Sequence, residues 1–136
     1  MLRRADRGAS LTRPATISSY RKDDVYYPRF TLRSTELRDA GFAACDTVWL
    51  VVYEHYIELA AQLPASTDGI QRATQHEISP YQSGARIVIG AEDLQPGGFS
   101  IGDEVQVDVQ TGLLAIEWIA AGAVREKELP LLENVK

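Results

Sequence analysis

Arg29-Phe30-Thr31-Leu32, Ser34-Thr35-Glu36-Leu37-Arg38-Asp39-Ala40, Gly41-Phe42, Val48-Trp49-Leu50-Val51-Val52-Tyr53 and Tyr56-Ile57-Glu58-Leu59 succeed one another along residues 29–59. The first run reads as extended chain. Ser34 or Thr35 caps a short helical turn, and Gly41 ends that turn at a position where positive φ costs glycine nothing. Val48 to Tyr53 is rich in β-formers, Glu54-His55 reads as a turn, and Tyr56 to Leu59 reads as a returning strand.

The same order recurs 57 residues later without a gap. Arg86-Ile87-Val88-Ile89 matches Arg29 to Leu32, Leu94 matches Leu37, Gly98-Phe99 matches Gly41-Phe42, and Asp103 matches Asp46. Val105 and Val109 match Val48 and Val52, and Leu113 to Ile116 match Tyr56 to Leu59. A fixed period of this kind predicts a tandem repeat. Each copy is too small to bury its own apolar positions, so each needs a partner surface, most simply the other copy. Val105-Gln106-Val107-Asp108-Val109 alternates strictly, which places the valines on the core and Gln106 and Asp108 toward water. Val48 to Val52 is apolar throughout, as for a strand covered on both faces. The expected fold is therefore mainly β, a small pseudo-twofold β-barrel in which two strand-turn-strand units interleave, each with one short helical turn. Phe42 and Phe99 are expected to plug the core.

Around this repeat the chain divides into a basic N-terminal arm over 1–24, a first copy over 25–62, a linker over 63–84, a second copy over 85–120 and a tail over 121–136. The linker is rich in Ser, Thr, Gln, Gly and Pro and is expected to be flexible. The arm is expected to be mobile, with Thr16 to Tyr20 pairing as a short strand at most.

At 136 residues, with 45% apolar and 24% charged side chains, the chain is of a size and composition to fold as one domain, which excludes a large multidomain enzyme. Cys45 is the one cysteine, so no internal disulfide can form. No apolar run approaches the roughly 18 residues of a membrane-spanning helix, and the polar stretch after Met1-Leu2-Arg3-Arg4 does not read as a secretory signal. The composition predicts a soluble, cytoplasmic protein with no membrane partner. The net charge of −5 is unevenly spread: residues 1–33 hold eight basic and three acidic side chains, and the remainder six basic and sixteen acidic. A basic end on an acidic body is the layout of a protein that touches phosphate with one end. A solvated tail is the alternative.

Strand, helical turn, Gly-Phe, acidic turn and hairpin together resemble the swapped-hairpin group of transcription regulators and antitoxins typified by AbrB and MazE. Within it, the first copy is similar to the SymE-like toxin family through Thr16-Ile17-Ser18-Ser19-Tyr20, Tyr27-Pro28-Arg29-Phe30-Thr31-Leu32 and Glu36-Leu37-Arg38-Asp39-Ala40-Gly41-Phe42. The likeness covers residues 16–59, and residues 86–116 repeat its core more loosely. Three positions depart from the family pattern: Ser34 and Cys45 stand where glycine is usual, and Glu36 where tryptophan is usual. Gly102 keeps the second copy's glycine. The resemblance implies a toxin–antitoxin-class protein that cleaves RNA or binds nucleic acid. It also implies that one chain here supplies both halves of what is elsewhere a dimer, hence a monomer. The alternative function is a non-enzymatic immunity or antitoxin protein that covers a basic toxin with its acidic surface.

Arg29 and Arg86 start the equivalent first strands, and with Arg21, Lys22 and Arg33 they form the candidate phosphate-binding set. The alternative for Arg29 and Arg86 is a structural role, bonded to the acidic turns at Asp46 and Asp103. Tyr27, with Tyr20 and Tyr26, interleaves with these cations in a pattern suited to stacking on unpaired bases. His55 beside Glu54 is the candidate for proton transfer in RNA cleavage, with a turn position as the alternative. His76-Glu77 in the linker carries less. Two separated histidines and one cysteine do not form a metal-ligand spacing, and no cofactor fingerprint is present.

Overall fold

The computed structural model describes residues 11–82 and 84–122. They form ten strands: β1 (Leu11–Thr16), β2 (Ser18–Lys22), β3 (Val25–Leu32), β4 (Thr47–Tyr53), β5 (Tyr56–Ala60), β6 (Arg72–Glu77), β7 (Ser79–Tyr81), β8 (Gly84–Ile89), β9 (Glu104–Gln110) and β10 (Leu113–Ala120). Two short helices, α1 (Ser34–Ala40) and α2 (Ala91–Leu94), follow β3 and β8, and a 3-10 turn over Gln95–Gly97 extends the second. The fold is mainly β. Among the described residues no helix is long and apolar enough to cross a membrane.

The strands make two sheets, one of six strands in the order β1-β9-β10-β5-β4-β6 and one of four in the order β2-β3-β8-β7. Through the pairings of the described residues neither sheet closes on itself, so the pairing gives two open sheets where one closed barrel was expected. The reason lies at Ile17 and Ile78, where the chain leaves the larger sheet for the smaller. Ile17 N–H donates to Asp103 O (2.9 Å) and its carbonyl accepts from Gly102 (2.9 Å). Ile78 does the same with Asp46 (2.9 Å) and Cys45 (2.7 Å). Each bend spends its backbone groups on an acidic turn, which satisfies them while interrupting the ladder.

The core fills the space between the sheets. Val105, Val107 and Val109 point into it as their alternation requires, joined by Val48, Leu50 and Val52 from β4 and Ile57 and Leu59 from β5. The smaller sheet contributes Phe30, Leu32, Ile87 and Ile89, and the helices Leu37 and Leu94. Phe42 and Phe99 are buried directly after the helical turns, as expected. Gly41 ends α1 at φ 92° and Gly98 ends the 3-10 turn at φ 84°, in the left-handed conformation that the Gly-Phe motif requires.

The expectations for Asp108, for the linker and for the arm need correction, while that for Val48 to Val52 holds. Asp108 does not face water: only 1% of it is exposed, and its Oδ2 accepts a hydrogen bond from Gln110 Nε2 (3.2 Å). The covering of both faces foreseen for Val48 to Val52 extends along the sheet, since Val51, Glu58 and Ala115 on the far side are buried as well. The segment read as a flexible linker holds β6 and β7, and the arm holds β1 and β2. Their polar alternation, Arg72-Thr74-His76 for example, suits edge strands with one wet face and gives little apolar signal. Residues 1–10 of the arm and 123–136 of the tail lie outside the described residues.

Candidate nucleic-acid interface

The four-stranded sheet sets the site. Its registers pair Ser18 with Arg29, Tyr20 with Tyr27, and Lys22 with Val25 across β2 and β3, Thr31 with Val88 across β3 and β8, and Ser79 with Arg86 and Tyr81 with Gly84 across β7 and β8. Directly opposed residues share a face. The face opposite to Phe30, Leu32, Ile87 and Ile89 therefore presents Tyr20, Lys22, Tyr27, Arg29, Arg86 and Tyr81, with no carboxylate among its strand positions.

Two arginine–tyrosine stacks stand out on this face. The Arg29 guanidinium lies 5.1 Å from the ring centre of Tyr20, and that of Arg86 lies 4.1 Å from the ring centre of Tyr81. Tyr27 tilts against Tyr20 with centroids 5.8 Å apart. Stacking holds a guanidinium flat while leaving its N–H groups at the edge free to bond anions. Arg33 is exposed just beyond the end of β3. Among the described residues no carboxylate lies within 4.0 Å of Arg29, Arg33 or Arg86, whereas Arg13 pairs with Glu36, Arg21 with Asp24, Arg38 with Asp39 and Arg72 with Asp93. The acidic turns are occupied differently from the structural alternative. Asp46 Oδ2 accepts from Ala43 N–H (2.8 Å), and Asp103 Oδ2 from Ser100 N–H (2.8 Å) and Trp118 Nε1 (2.9 Å).

The sequence-predicted set is thus divided by the structure. Arg29, Arg86, Lys22 and Tyr27 share the face, and Arg33 adjoins it. Arg21 is opposite Tyr26, on the other side of the ladder, and is tied to Asp24 across the β2–β3 turn.

His55 and Glu54 occupy the β4–β5 hairpin tip, outside this sheet. His55 takes φ 61°, stacks on Trp118 with centroids 4.4 Å apart, and packs so closely on Gly98 that a Cβ there would lie 3.0 Å from its ring. Its N–H donates to Gly97 O (2.7 Å) and its carbonyl accepts from Trp118 (3.0 Å). Among the described residues no hydrogen bond joins the imidazole to Glu54. The residue does the work of a turn and a wedge.

A second charged cluster went unforeseen. Asp93 on α2 is buried and accepts from Arg72 Nε (2.7 Å) and Thr74 Oγ1 (3.2 Å) on β6, with His76 Nε2 3.1 Å from its other oxygen. Burial by itself would raise the Asp93 carboxyl, but the hydrogen bonds and charges of His76 and Arg72 outweigh it and hold the group below its ordinary value. Thr74 Oγ1 also lies 3.0 Å from His76 Nε2. Acid and hydroxyl thus meet at one ring nitrogen, whereas a catalytic dyad must hold the imidazole by one nitrogen and present the other to a nucleophile. The cluster is a clamp. Its signal in the sequence is the period-two spacing of Arg72, Thr74 and His76, which sets three polar side chains on one face of a strand. In comparisons with known protein families, curated proteins and solved structures, nothing matches this chain.

Proposed function

We propose that the chain is a SymE-like protein of the toxin–antitoxin class that binds RNA or other nucleic acid through the exposed face of its four-stranded sheet. In this reading it consists of two tandem copies, β1–β5 and β6–β10, about a pseudo-twofold axis. Support for the duplication comes from strand orders that read the same when the two sets are exchanged, and from the matching Arg29–Tyr20 and Arg86–Tyr81 stacks. The observation that carries the binding function is the grouping of Arg29 and Arg86 on this face and Arg33 beside it, none with a carboxylate partner among the described residues, next to exposed tyrosines on a sheet face whose strand positions hold no acid. On a protein of net charge −5, Arg29, Arg86 and the adjoining Arg33 make this side locally positive, which supports attraction of an anion here. Phosphate contacts from such a face position a ligand without reading its sequence.

The reading favours binding over cleavage, because His55 and His76 both belong to other elements and the face itself offers arginine, lysine and tyrosine. Fluorescence anisotropy with a labelled RNA oligonucleotide tests it. Affinity should fall steeply between about 50 and 200 mM salt as phosphate contacts release counterions. The double variant Arg29→Ala, Arg86→Ala should bind all sequences more weakly by a similar factor. No binding of RNA or DNA at 50 mM salt would end the proposal and favour an inhibitor that works through its acidic surface.

A further inference from the structure

Three concavities adjoin one another beside this face. One of about 390 Å³ lies between β1 and β3 and is lined by Arg13, Ser18, Thr31 and Arg33. A second, of about 270 Å³, shares Thr31 and Arg33 with it and extends to Arg86 and Tyr81. A third, of about 410 Å³, shares Ser34, Gly84 and Ala85 with the second and ends at Arg38 and Phe42. Because neighbouring hollows share these walls, we take them together as one trough running from β1 and β3 to β8 and α1, with Arg33 between the first two compartments.

We infer that this trough is the path of a single-stranded polynucleotide. The inference rests on the nucleic-acid reading above and adds the form of the ligand and its route. Each compartment is near the lower end of the roughly 300–1,000 Å³ of small-ligand sites, so the trough takes a ligand built of small units in series. Cations are distributed along it. Arg33 and Arg86 have no carboxylate partner among the described residues, and Arg38 meets only its neighbour Asp39 at 3.7 Å while remaining largely exposed. Tyr81, 43% exposed, offers a ring on which an unpaired base can stack. A duplex is read by a projecting helix or ribbon that enters its groove. Here α1 and α2 have seven and four residues and turn Leu37 and Leu94 into the core, and the outer part of the β2–β3 ribbon, residues 19–27, lines none of the trough. A concave track suits one strand lying in it.

Gly84 sits at the junction of the second and third compartments. A Cβ there would come within 2.6 Å of the Ser34 Cβ, so a side chain must displace Ser34 and crowd the junction. This supplies a variant that blocks the path without altering charge.

Fluorescence anisotropy at 50 mM salt, with labelled ten-residue single-stranded RNA, the matching single-stranded DNA and the corresponding duplex, tests the route. Either single strand should bind at least about tenfold more tightly than the duplex. Arg33→Gln should weaken single-strand binding by roughly tenfold, the worth of one charge-assisted hydrogen bond, with an unchanged thermal melt. Gly84→Val should weaken it as well, and if that variant melts early Arg33→Gln alone decides. Duplex binding as tight as that of the single strands, or single-strand binding indifferent to Arg33→Gln, would overturn the trough and leave the nucleic-acid reading standing. Absence of binding by all three probes would overturn both.

Discussion

Cys45 holds φ at 73°, and Gly102 holds 86° at the corresponding turn before Asp103. Left-handed backbone costs an L-residue roughly 1–2 kcal/mol because its Cβ crowds the following carbonyl. The turn needs this conformation to bring the Cys45 N–H onto Ile78 O at 2.7 Å. Because Cys45 is exposed, its side chain returns little burial energy. Cys45→Gly should therefore stabilise the protein by roughly 0.5–1 kcal/mol, the relief of strain being offset in part by the freer unfolded glycine. Urea denaturation reads the change directly, and a lower midpoint at unchanged slope would show that the thiol makes a contact worth more than the strain. This position was legible in the sequence, since Gly102 stands 57 residues on, at the position matched to Cys45. His55 was legible only as a turn: its stack on Trp118 joins residues 63 apart, and no local pattern announces such a contact.

At the scale of elements, strands with a clear apolar face were foreseen, β2 was foreseen only as a short strand over Thr16 to Tyr20, and the polar strands β1, β6 and β7 were not foreseen. A second signal was present for the latter. Ile17-Ser18-Ser19-Tyr20 recurs as Ile78-Ser79-Pro80-Tyr81, at an offset of 61 where the later segments repeat at 57. The difference arises because the β2–β3 hairpin is four residues longer than β7–β8, so a search for one ungapped period passes over it. That repeated motif would have located Tyr81, and with it the second stack. The clamp on β6 carries a prediction of its own. Asp93 ties this edge strand to α2, and its carboxyl is held below the ordinary value near 3.8. A depressed carboxyl stabilises the fold above its unfolded pKa and loses that contribution as pH falls through the folded one. Stability of the native chain should thus decline below about pH 4, and Asp93→Asn should flatten that acid limb while lowering stability at pH 7 by about 1–3 kcal/mol. Urea midpoints measured from pH 7 to pH 2.5 check both. An acid limb as steep in Asp93→Asn as in the native chain would show that other carboxylates govern it.

For the whole molecule the informative feature is which strands cover which edges. β1 lies on β9 and β6 lies on β4, so each half of the chain supplies the outermost strand of the other half's hairpin, while β5 and β10 join the two hairpins at the centre of the sheet. A single copy would leave the free edges of β4 and β5 without partners, and unpaired edges recruit a second chain. Here the pairing is satisfied within one chain. The outer edges of the larger sheet, β1 and β6, are weak templates for further addition: β1 contains Pro14, which lacks an N–H to donate, and β6 carries Arg72 and Glu77 at its ends. The larger sheet therefore has no geometric need of a second copy, and the net charge of −5 opposes close approach of two such bodies at low salt. Sedimentation velocity at micromolar concentration should give a monomer of about 15 kDa. The value should hold between about 50 and 500 mM salt, since charge screening would reveal an association merely suppressed by repulsion. A dimer that persists on dilution would mean that an interface outside these ladders governs assembly, and would overturn the proposal that one chain supplies both halves of the pseudo-dimer.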